Sequence, residues 1–445
     1  MGSDMTISLA EYHDRRMRLA ALLEDNSACF IYGSGLKTRS NDTEYPFRPN
    51  SNLWYLTGFH EPDAALCLIK KAEQLHTILF CNAKDTTAEI WHGRRVGVES
   101  APLRYGLDEA IENTHMASTL ARVCSGLNTV YVDLADNEAH TIIIRALDTV
   151  RNTPKQSFLA PQHIHDLAPH LHACRVRKSA TELGIMRRAG ELSADAHKMA
   201  MRASRPGLNE RHLEAVLHYH FALAGAREPA YNSIVGSSEN ACILHYTENN
   251  CALGAGDLVL IDAGAELHGY AADITRTFPV DGTFTSEQAA LYDIVLASQE
   301  AAIQACRAGV TFTELLAESV EVLVAGLCDL GILTGSVADN IEHTTYRQYF
   351  MHGIGHYLGL DVHDVGAYKD SYGDIPLPKN AVITIEPGLY IAPGSPCDEK
   401  YHGIGIRIED NVVVQEQGCE ILTAGVPKTR AAIEALMRED YIHTL

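Results

Sequence analysis

The sequence predicts an α/β (α+β) protein of two domains, a smaller α/β N-terminal domain over residues 1–175 and a larger domain over residues 176–445. Strand-like runs alternate with helical stretches in the first part of the chain. The start of a new helix just after residues 174–179 marks the boundary. In the last part, strand-like runs pair most economically as an antiparallel hairpin, and helices packed outside a curved antiparallel sheet would place the acids of these runs centrally.

The elements of the N-terminal domain follow from the period of their apolar residues. Strands are predicted over 28–32, 64–70, 77–81 and 129–132, and helices over 7–23, 108–123 and 138–151. In the second domain, Ser179 precedes an amphipathic stretch and Glu182 follows three residues later, which is a capping box. Helices are predicted there over 180–202, 211–224, 287–308 and 313–330.

Composition excludes several classes of protein. There are 57 acidic and 36 basic residues, so the formal net charge is −21, which disfavours nucleic-acid binding. The 11 cysteines contain no C-x-x-C pair, which favours a reducing cytoplasm. No apolar span reaches about 18 residues, and the charged N-terminus lacks the apolar core of a signal peptide. We therefore predict a cytoplasmic protein with no membrane partner.

Two acids lie near each other in the predicted sheet of the second domain. Asp262 ends an apolar run, and Asp273 precedes a run of β-branched and aromatic residues. A hairpin with its turn around residues 267–268 would make the two acids direct cross-strand partners, with Cβ atoms ~5 Å apart. Two ionised carboxylates at that distance repel by about 3 kcal/mol at an effective dielectric of ~20. Protonation of one acid, or a cation between them, would relieve this repulsion.

Three further residues extend this pair to a possible metal site. Glu386 ends a second apolar run before Pro and Gly, Glu409 lies on a later strand, and His356 lies in a Gly- and His-rich segment. Four carboxylates and one imidazole form a ligand set suited to a pair of divalent cations. A single acid before glycine is more often a turn former, so the interpretation depends on all five residues together.

An ordered series of motifs runs through most of the chain. In the second domain they are ILHYTEN at 243–249, LIDAG at 260–264, GYAADITRTF at 269–278, HGIGH at 352–356, GLDVHD at 359–364, EPG at 386–388 and GIRIED at 405–410. In the first domain they are NDTEYPFR at 41–48, WYLTGF at 54–59 and EIWHGRR at 89–95. This series resembles the pita-bread metallopeptidases, and most closely the proline-specific aminopeptidase P (Xaa-Pro aminopeptidase) branch. One departure is Gly355, where close relatives often carry Ser.

The resemblance implies a metal-dependent aminopeptidase that hydrolyses the N-terminal Xaa-Pro bond. Two Mn²⁺ ions per subunit would activate a hydroxide as the nucleophile, with Zn²⁺ or Co²⁺ as possible substitutes. Asp262 would be bidentate on one metal, Asp273 and Glu409 would bridge, and His356 and Glu386 would complete the second. Its substrates would be peptides with proline at the second position. A homo-dimer or homo-tetramer is also implied, with the N-terminal domain serving oligomerisation and substrate access.

Helper residues are implied by the same resemblance. Glu386 would also carry a proton, while His245 and His363 would line the substrate side. Arg407 and Tyr390 would support Asp262. Two further residues are substrate-binding candidates with a competing structural interpretation. They are His352, which has no matching ligand role, and Trp91, since a lone Trp is as often a core or interface residue.

Two alternative functions stay open. A prolidase, which cleaves only Xaa-Pro dipeptides, would share the same five metal ligands, although the EIWHGRR motif favours the aminopeptidase. A non-catalytic pita-bread binding module is the alternative from another class of protein. Such modules typically lack several of the ligands, and all five are present here.

Overall fold

The computed structural model describes residues 6–153 and 159–441. The chain divides into two compact units between Arg175 and Val176, the first of which begins at Thr6. The outer ends of the predicted domains, at residues 1 and 445, lie outside the described residues. No helix in the described part of the chain is long and apolar enough to cross a membrane. The 11 cysteines are all free thiols.

The first unit is built on a six-stranded mixed sheet with helices packed against it. The strands of this unit are β1 (Ser27–Tyr32), β2 (Thr38–Ser40), β3 (Thr43–Glu44), β4 (Ala65–Lys71), β5 (Gln74–Cys81), β6 (Glu109–Glu112), β7 (Thr129–Val132) and β8 (His163–Asp166). The six-stranded sheet has the order β6-β5-β4-β1-β7-β8, and β2 and β3 form a separate two-stranded sheet. The helices of this unit are α1 (Leu9–Leu22), α2 (Ser51–Thr57), α3 (Thr86–His92), α4 (Ala101–Tyr105), α5 (Met116–Cys124), α6 (Asn137–Asn152) and α7 (Ala168–Val176), with a 3₁₀ turn at Asn113–His115.

The prediction of one helix over 108–123 is wrong. Strand β6 occupies the first part, and helix α5 begins only at Met116. β6 pairs in parallel with the end of β5, from Ile78 to Cys81. Asp108 fixes the start of this strand, because its carboxylate accepts hydrogen bonds from the Thr77 amide (2.8 Å) and hydroxyl (2.7 Å). Pairing with the edge of the sheet therefore overrides the helical pattern of these residues.

The second unit combines long helices with antiparallel sheets. Its helices are α8 (Ala180–Ala203), α9 (Glu210–Leu223), α10 (Ser286–Ala305), α11 (Phe312–Asp329), α12 (Val337–Glu342) and α13 (Arg430–Met437), with 3₁₀ turns at Ser238–Cys242, Thr345–Gln348 and Glu399–Tyr401. Its strands are β9 (Ile234–Ser237), β10 (Leu258–Asp262), β11 (Glu266–Leu267), β12 (Tyr270–Ala271), β13 (Thr275–Pro279), β14 (Lys369–Asp370), β15 (Gly373–Asp374), β16 (Val382–Ile385), β17 (Gly388–Ile391), β18 (Ile404–Arg407), β19 (Asp410–Val414) and β20 (Cys419–Ile421).

The helix predictions for this unit are confirmed to within a few residues. The capping box at the start of α8 is formed: the Glu182 amide donates to Ser179 Oγ, and the Ser179 amide donates to a Glu182 carboxylate oxygen. The sheets have the orders β13-β10-β9, β16-β19-β20 and β17-β18. Their apolar side chains pack beneath the helices in two core clusters. The four candidate acids all lie at strand ends or in the short links between strands.

The predicted register of the first hairpin is wrong by two residues. Asp262 lies opposite Thr275, not Asp273. The inner strands pair so that the turn falls on His268 and Gly269, and both residues have positive φ (50° and 85°). Two consecutive left-handed residues match the twist of a two-residue hairpin turn. Moving the turn by one residue shifts every cross-strand partner by two.

Candidate active site

A single cavity of about 630 Å³ in the second unit collects most of the predicted site residues. It is lined by nine of them: His245, Asp262, Asp273, His352, His356, His363, Glu386, Arg407 and Glu409. Tyr390 is not a lining residue and is fully buried behind Arg407, to which it is hydrogen bonded. Trp91 belongs to the first unit, on helix α3, where its side chain is 79% exposed. It is not among the residues that line the cavity.

The candidate metal ligands lie close to one another in this cavity. Asp273, His356 and Glu409 each offer a ligand atom, and the three atoms lie within 4.8 Å of one another. Nε2 of His356 is 3.4 Å from Oδ2 of Asp273 and 3.5 Å from Oε1 of Glu386. Oxygen and imidazole nitrogen atoms at such spacings suit divalent transition-metal ions such as Mn²⁺ and Zn²⁺.

Neighbouring threonines hold two of the glutamates in place. Oγ1 of Thr275 donates to Glu409 at 2.6 Å, and Oγ1 of Thr384 donates to Glu386 at 3.0 Å. Thr275 lies two residues after Asp273, so strand alternation could have placed it on the same face. The segment that carries His356 packs tightly on β16, because a Cβ atom at Gly355 would lie 2.0 Å from the Thr384 carbonyl oxygen.

Nothing in the sequence singles out Tyr231, yet it joins two of the acids. Its hydroxyl oxygen lies 2.5 Å from Oδ1 of Asp262 and 2.5 Å from Oδ1 of Asp273. Burial, and then the charges of these two acids, raise the pKa of Tyr231 well above its usual range, so it stays a phenol. The acids therefore meet through a tyrosine from outside the hairpin. The segment between α9 and β9 that supplies it has no periodicity to predict this.

Arg407 provides a fixed positive charge beside the acids. Its Nη2 atom donates to Asp262 Oδ2 at 2.6 Å, its Nη1 donates to the Tyr390 hydroxyl at 3.0 Å, and its Nε donates to Thr275 at 3.1 Å. The Tyr390 hydroxyl is in turn 2.8 Å from Nε2 of His352. A chain of hydrogen bonds thus runs from Asp262 to His352, which gives this histidine a position in the cavity that the sequence did not explain.

The buried acids favour each other's protonated forms. Burial, and then the charge of Asp262, raise the pKa of Asp273 to about 6. Burial and the charges of Asp273 and Glu386 raise the pKa of Glu409 well above its usual range. Burial likewise raises the pKa of Glu386. For His356, burial lowers the pKa, but the hydrogen bond to Asp273 and the charge of Glu386 outweigh it and raise the pKa to about 9.

The same groups pass a test of fit for metal ions. Arg407 is the only Lys or Arg among the residues that line the cavity, against four carboxylates. One fixed cation cannot balance four buried negative charges, so the cluster must take up protons or further cations. Two divalent ions would bring the cluster close to neutrality, and the oxygen-rich donor set with one imidazole is appropriate for them.

Three histidines line the rest of the cavity. His363 stacks on His356, with ring centroids 3.9 Å apart and an interplanar angle of 18°. Burial, and then the charges of His356 and His245, lower the pKa of His363. Burial, and then the charge of Arg407, lower the pKa of His352 to about 4. At neutral pH His352 and His363 are therefore neutral groups that can donate one hydrogen bond and accept another.

Comparison with known protein families identifies the family of this chain. A model of metallopeptidase family M24 matches residues 184–416, just over half of the chain. The chain belongs to metallopeptidase family M24. A model described as the aminopeptidase P N-terminal domain matches residues 12–131. The resemblance to the aminopeptidase P branch and the predicted fold class are thereby confirmed.

Individual M24 relatives match along nearly the whole chain. Xaa-Pro aminopeptidase of Escherichia coli (strain K12) is 48% identical over 97% of this chain and 98% of its own length. Xaa-Pro aminopeptidase of Haemophilus influenzae is 44% identical over 96% of this chain and 97% of its own length. A solved structure of zinc-substituted E. coli aminopeptidase P in complex with product has a TM-score of 0.95 and 48% identity, covering 97% of this chain and 98% of that one.

Proposed function

We propose that this chain is a metal-dependent Xaa-Pro aminopeptidase, which releases the N-terminal residue from peptides with proline at the second position. The observation that carries the proposal is that Asp262, Asp273, His356, Glu386 and Glu409 line the same cavity, in which ligand atoms of Asp273, His356 and Glu409 lie within 4.8 Å of one another. The near-complete match to Xaa-Pro aminopeptidases supports the choice of substrate. The intact set of acids disfavours a non-catalytic binding module.

The proposed cofactor is a pair of Mn²⁺ ions per subunit, for which Zn²⁺ or Co²⁺ could substitute. Asp262, Asp273, His356, Glu386 and Glu409 are the residues that would hold them. When bound, such ions lower the pKa of a water molecule and polarise a carbonyl group, which supplies a nucleophile and an electrophile near neutral pH. The free N-terminal ammonium group of the peptide substrate must also be held in place. The acidic side chains of the cavity would attract this positive charge.

The chain's own residues would manage the protons of the reaction. A peptide bond before proline is a tertiary amide without an N–H group, so the leaving pyrrolidine nitrogen must gain a proton as the bond breaks. Glu386 lines the cavity, so its carboxylate could take up a proton and return it to the leaving nitrogen. The hydrogen bond from Thr384 holds one of its oxygens in a fixed position.

The histidines and the arginine would orient the substrate and the acids. We assign His245 and His363 to hydrogen bonds with the substrate, since both are exposed to the cavity. Arg407 and Tyr390 would hold Asp262 in one orientation through the contacts described above. His352, at the end of that hydrogen-bond chain, would contribute a neutral surface to the substrate side.

Further assignments concern the protein as a whole. We propose a homo-dimer or homo-tetramer, in which the N-terminal domain (1–175) serves assembly and substrate access to the catalytic domain (176–445). Trp91 stays a proposed substrate-binding residue, and its side chain is 79% exposed. A cytoplasmic location is supported by the 11 free cysteines.

Peptide length distinguishes the aminopeptidase from a prolidase. Purified protein with Mn²⁺ should be assayed in parallel on an Xaa-Pro-Xaa tripeptide, the matching Xaa-Pro dipeptide and an Xaa-Ala-Xaa control. We expect cleavage of the tripeptide at its first bond and little cleavage of the alanine control. Activity confined to the dipeptide would establish a prolidase instead, and no cleavage of any peptide would favour a binding module.

A further inference from the structure

One buried carboxylate outside the metal cluster gathers an unusual number of hydrogen bonds. Glu210 is the first residue of α9 and is fully buried. Its Oε1 atom accepts from the Ser237 amide (2.7 Å), the Ser237 hydroxyl (2.8 Å) and the Asn240 side chain (3.1 Å). Its Oε2 atom accepts from the Tyr246 hydroxyl (2.9 Å) and the Cys251 amide (2.9 Å).

All five donors belong to one irregular segment, residues 237–251, which we call the His245 loop. Apart from Ser237, which is the last residue of β9, and the 3₁₀ turn at Ser238–Cys242, this loop has no helix or strand. It contains two residues with positive φ, Ser238 (52°) and Asn249 (46°). A segment with so few backbone hydrogen bonds needs outside partners to hold one conformation. Glu210 supplies acceptors near both ends of the loop and in its middle.

The middle contact bears directly on His245. Its neighbour Tyr246 is buried in a hydrophobic cluster that also contains Ile234, Leu260 and Tyr390, while its hydroxyl donates to Glu210. His245 is exposed and lines the cavity. Adjacent residues with opposite burial are coupled through the backbone between them. Fixing the Tyr246 side chain at both its ring and its hydroxyl therefore fixes where His245 projects.

We propose that Glu210 is a positioning residue that sets His245 against the substrate. The inference rests on the proposed function, in which His245 contacts the peptide. A carboxylate suits this task, because it only accepts hydrogen bonds and can satisfy five donors. An amide at the same place would turn an N–H group toward some of these donors. The residues that donate these five hydrogen bonds to Glu210 are Ser237, Asn240, Tyr246 and Cys251, and none of them is a metal-ligand candidate.

The test is a double-mutant cycle on the Mn²⁺-loaded protein, with kcat/KM for an Xaa-Pro-Xaa tripeptide as the readout. We expect Glu210→Gln to lower kcat/KM by about tenfold with Mn²⁺ content unchanged. In a His245→Ala background, the same change should cost less than about twofold, since the group being positioned is gone. Tyr246→Phe, which removes the hydroxyl that donates to Glu210 and leaves the carboxylate in place, should show the same dependence on His245 if Glu210→Gln fails to fold.

A matched control is Glu182→Gln. Glu182 is likewise buried at the start of a helix and accepts a hydrogen bond from a tyrosine hydroxyl, that of Tyr270 at 2.8 Å. Its effect should be the same with and without His245. Suppose that Glu210→Gln and Tyr246→Phe each lower kcat/KM by the same factor with and without His245, while His245→Ala itself lowers kcat/KM. That result would overturn the positioning role of Glu210 and leave the role of His245 intact. Normal kcat/KM for His245→Ala would overturn both this role and the function proposed for His245.

Discussion

Glu409 and Asp410 are adjacent acids with opposite surroundings. Both are buried, at 1% and 0% exposure. Glu409 faces the other acids of the cavity, and its pKa is raised well above the usual range. Asp410 faces Arg276 at 2.7 Å and Lys428 at 2.9 Å. Burial alone would raise the pKa of Asp410, but the two cations outweigh it and hold the pKa well below the usual range.

The difference is between an acid whose ion pairs stabilise the fold and an acid whose negative charge a bound cation would balance. Asp410 has its countercharges built into the chain, so it is satisfied at all times. Glu409 and its neighbours have only Arg407 as a fixed cation beside four carboxylates. Evolution of a stable fold alone would favour the first arrangement over the second. A site for exchangeable divalent cations requires the arrangement around Glu409, in which the charges of the acids are not balanced by basic side chains of the cavity.

The largest expected effect comes from removing one acid of the cavity. Asp273→Asn should lower kcat on an Xaa-Pro-Xaa peptide by about 10⁴-fold, which corresponds to ~5.5 kcal/mol in activation free energy. The fold should persist, and in the presence of a chelator it should be no less stable, because one source of repulsion is gone. Turnover within tenfold of the unsubstituted protein would contradict the assignment.

The next effect is on stability and comes from the anchoring acid. Asp410→Asn leaves Arg276 and Lys428 without their buried partner, which should lower the free energy of unfolding by about 3–5 kcal/mol. Asp293→Asn is the control, since its pair with Arg430 is largely exposed (37% and 53%) and should contribute less than about 1 kcal/mol. Urea unfolding measures both. A loss of similar size for the two variants would remove the distinction drawn for Asp410.

A pH effect of intermediate size is expected from His197, a buried residue of helix α8. Its Nε2 atom is 2.8 Å from the Ala263 carbonyl oxygen. Burial, and to a lesser degree the charge of Arg276, lower the pKa of His197 to about 4. Below pH ~6.5 the unfolded chain takes up a proton that the folded chain refuses, so stability falls as the pH falls toward 4, by ~3 kcal/mol in all.

His197→Gln should remove this pH dependence, because the amide can still donate to Ala263 but does not titrate. Urea unfolding with chelator at pH 7 and pH 5 compares the two proteins. Between these values the unsubstituted protein should lose about 2 kcal/mol more than the variant. Equal losses would show that His197 can be protonated in the folded state.

The smallest effect is expected for Tyr231→Phe. The hydroxyl joins Asp262 and Asp273, but neither acid depends on it alone, because Arg407 also holds Asp262 and His356 lies 3.4 Å from Asp273. Loss of a single buried hydrogen bond is worth about 1 kcal/mol, or roughly a fivefold drop in kcat/KM. Steady-state kinetics at fixed Mn²⁺ would measure it. A drop as large as that of Asp273→Asn would make Tyr231 a member of the catalytic group itself.

Local signals in the sequence predicted well, and long-range ones did not. The capping box at Ser179 was predictable because both of its partners lie within three residues. The four acids that line the cavity could be selected from the sequence because isolated acids in apolar runs need a reason to be buried. The register of Asp262 could not, since it depends on the left-handed turn at His268 and Gly269. Tyr231 and Glu210 act through contacts that only the assembled fold brings together.

Counting metal ions is the most direct test of the claim that this acidic cluster is built for divalent cations. Chelator-treated protein should be titrated with Mn²⁺ by isothermal calorimetry, beside Asp273→Asn and Asp410→Asn. We predict two ions per chain for the unsubstituted protein and for folded Asp410→Asn, and fewer for Asp273→Asn, with tripeptide cleavage returning as the sites fill. A folded, unsubstituted protein that binds no Mn²⁺, or that binds it equally well without Asp273, would contradict the account.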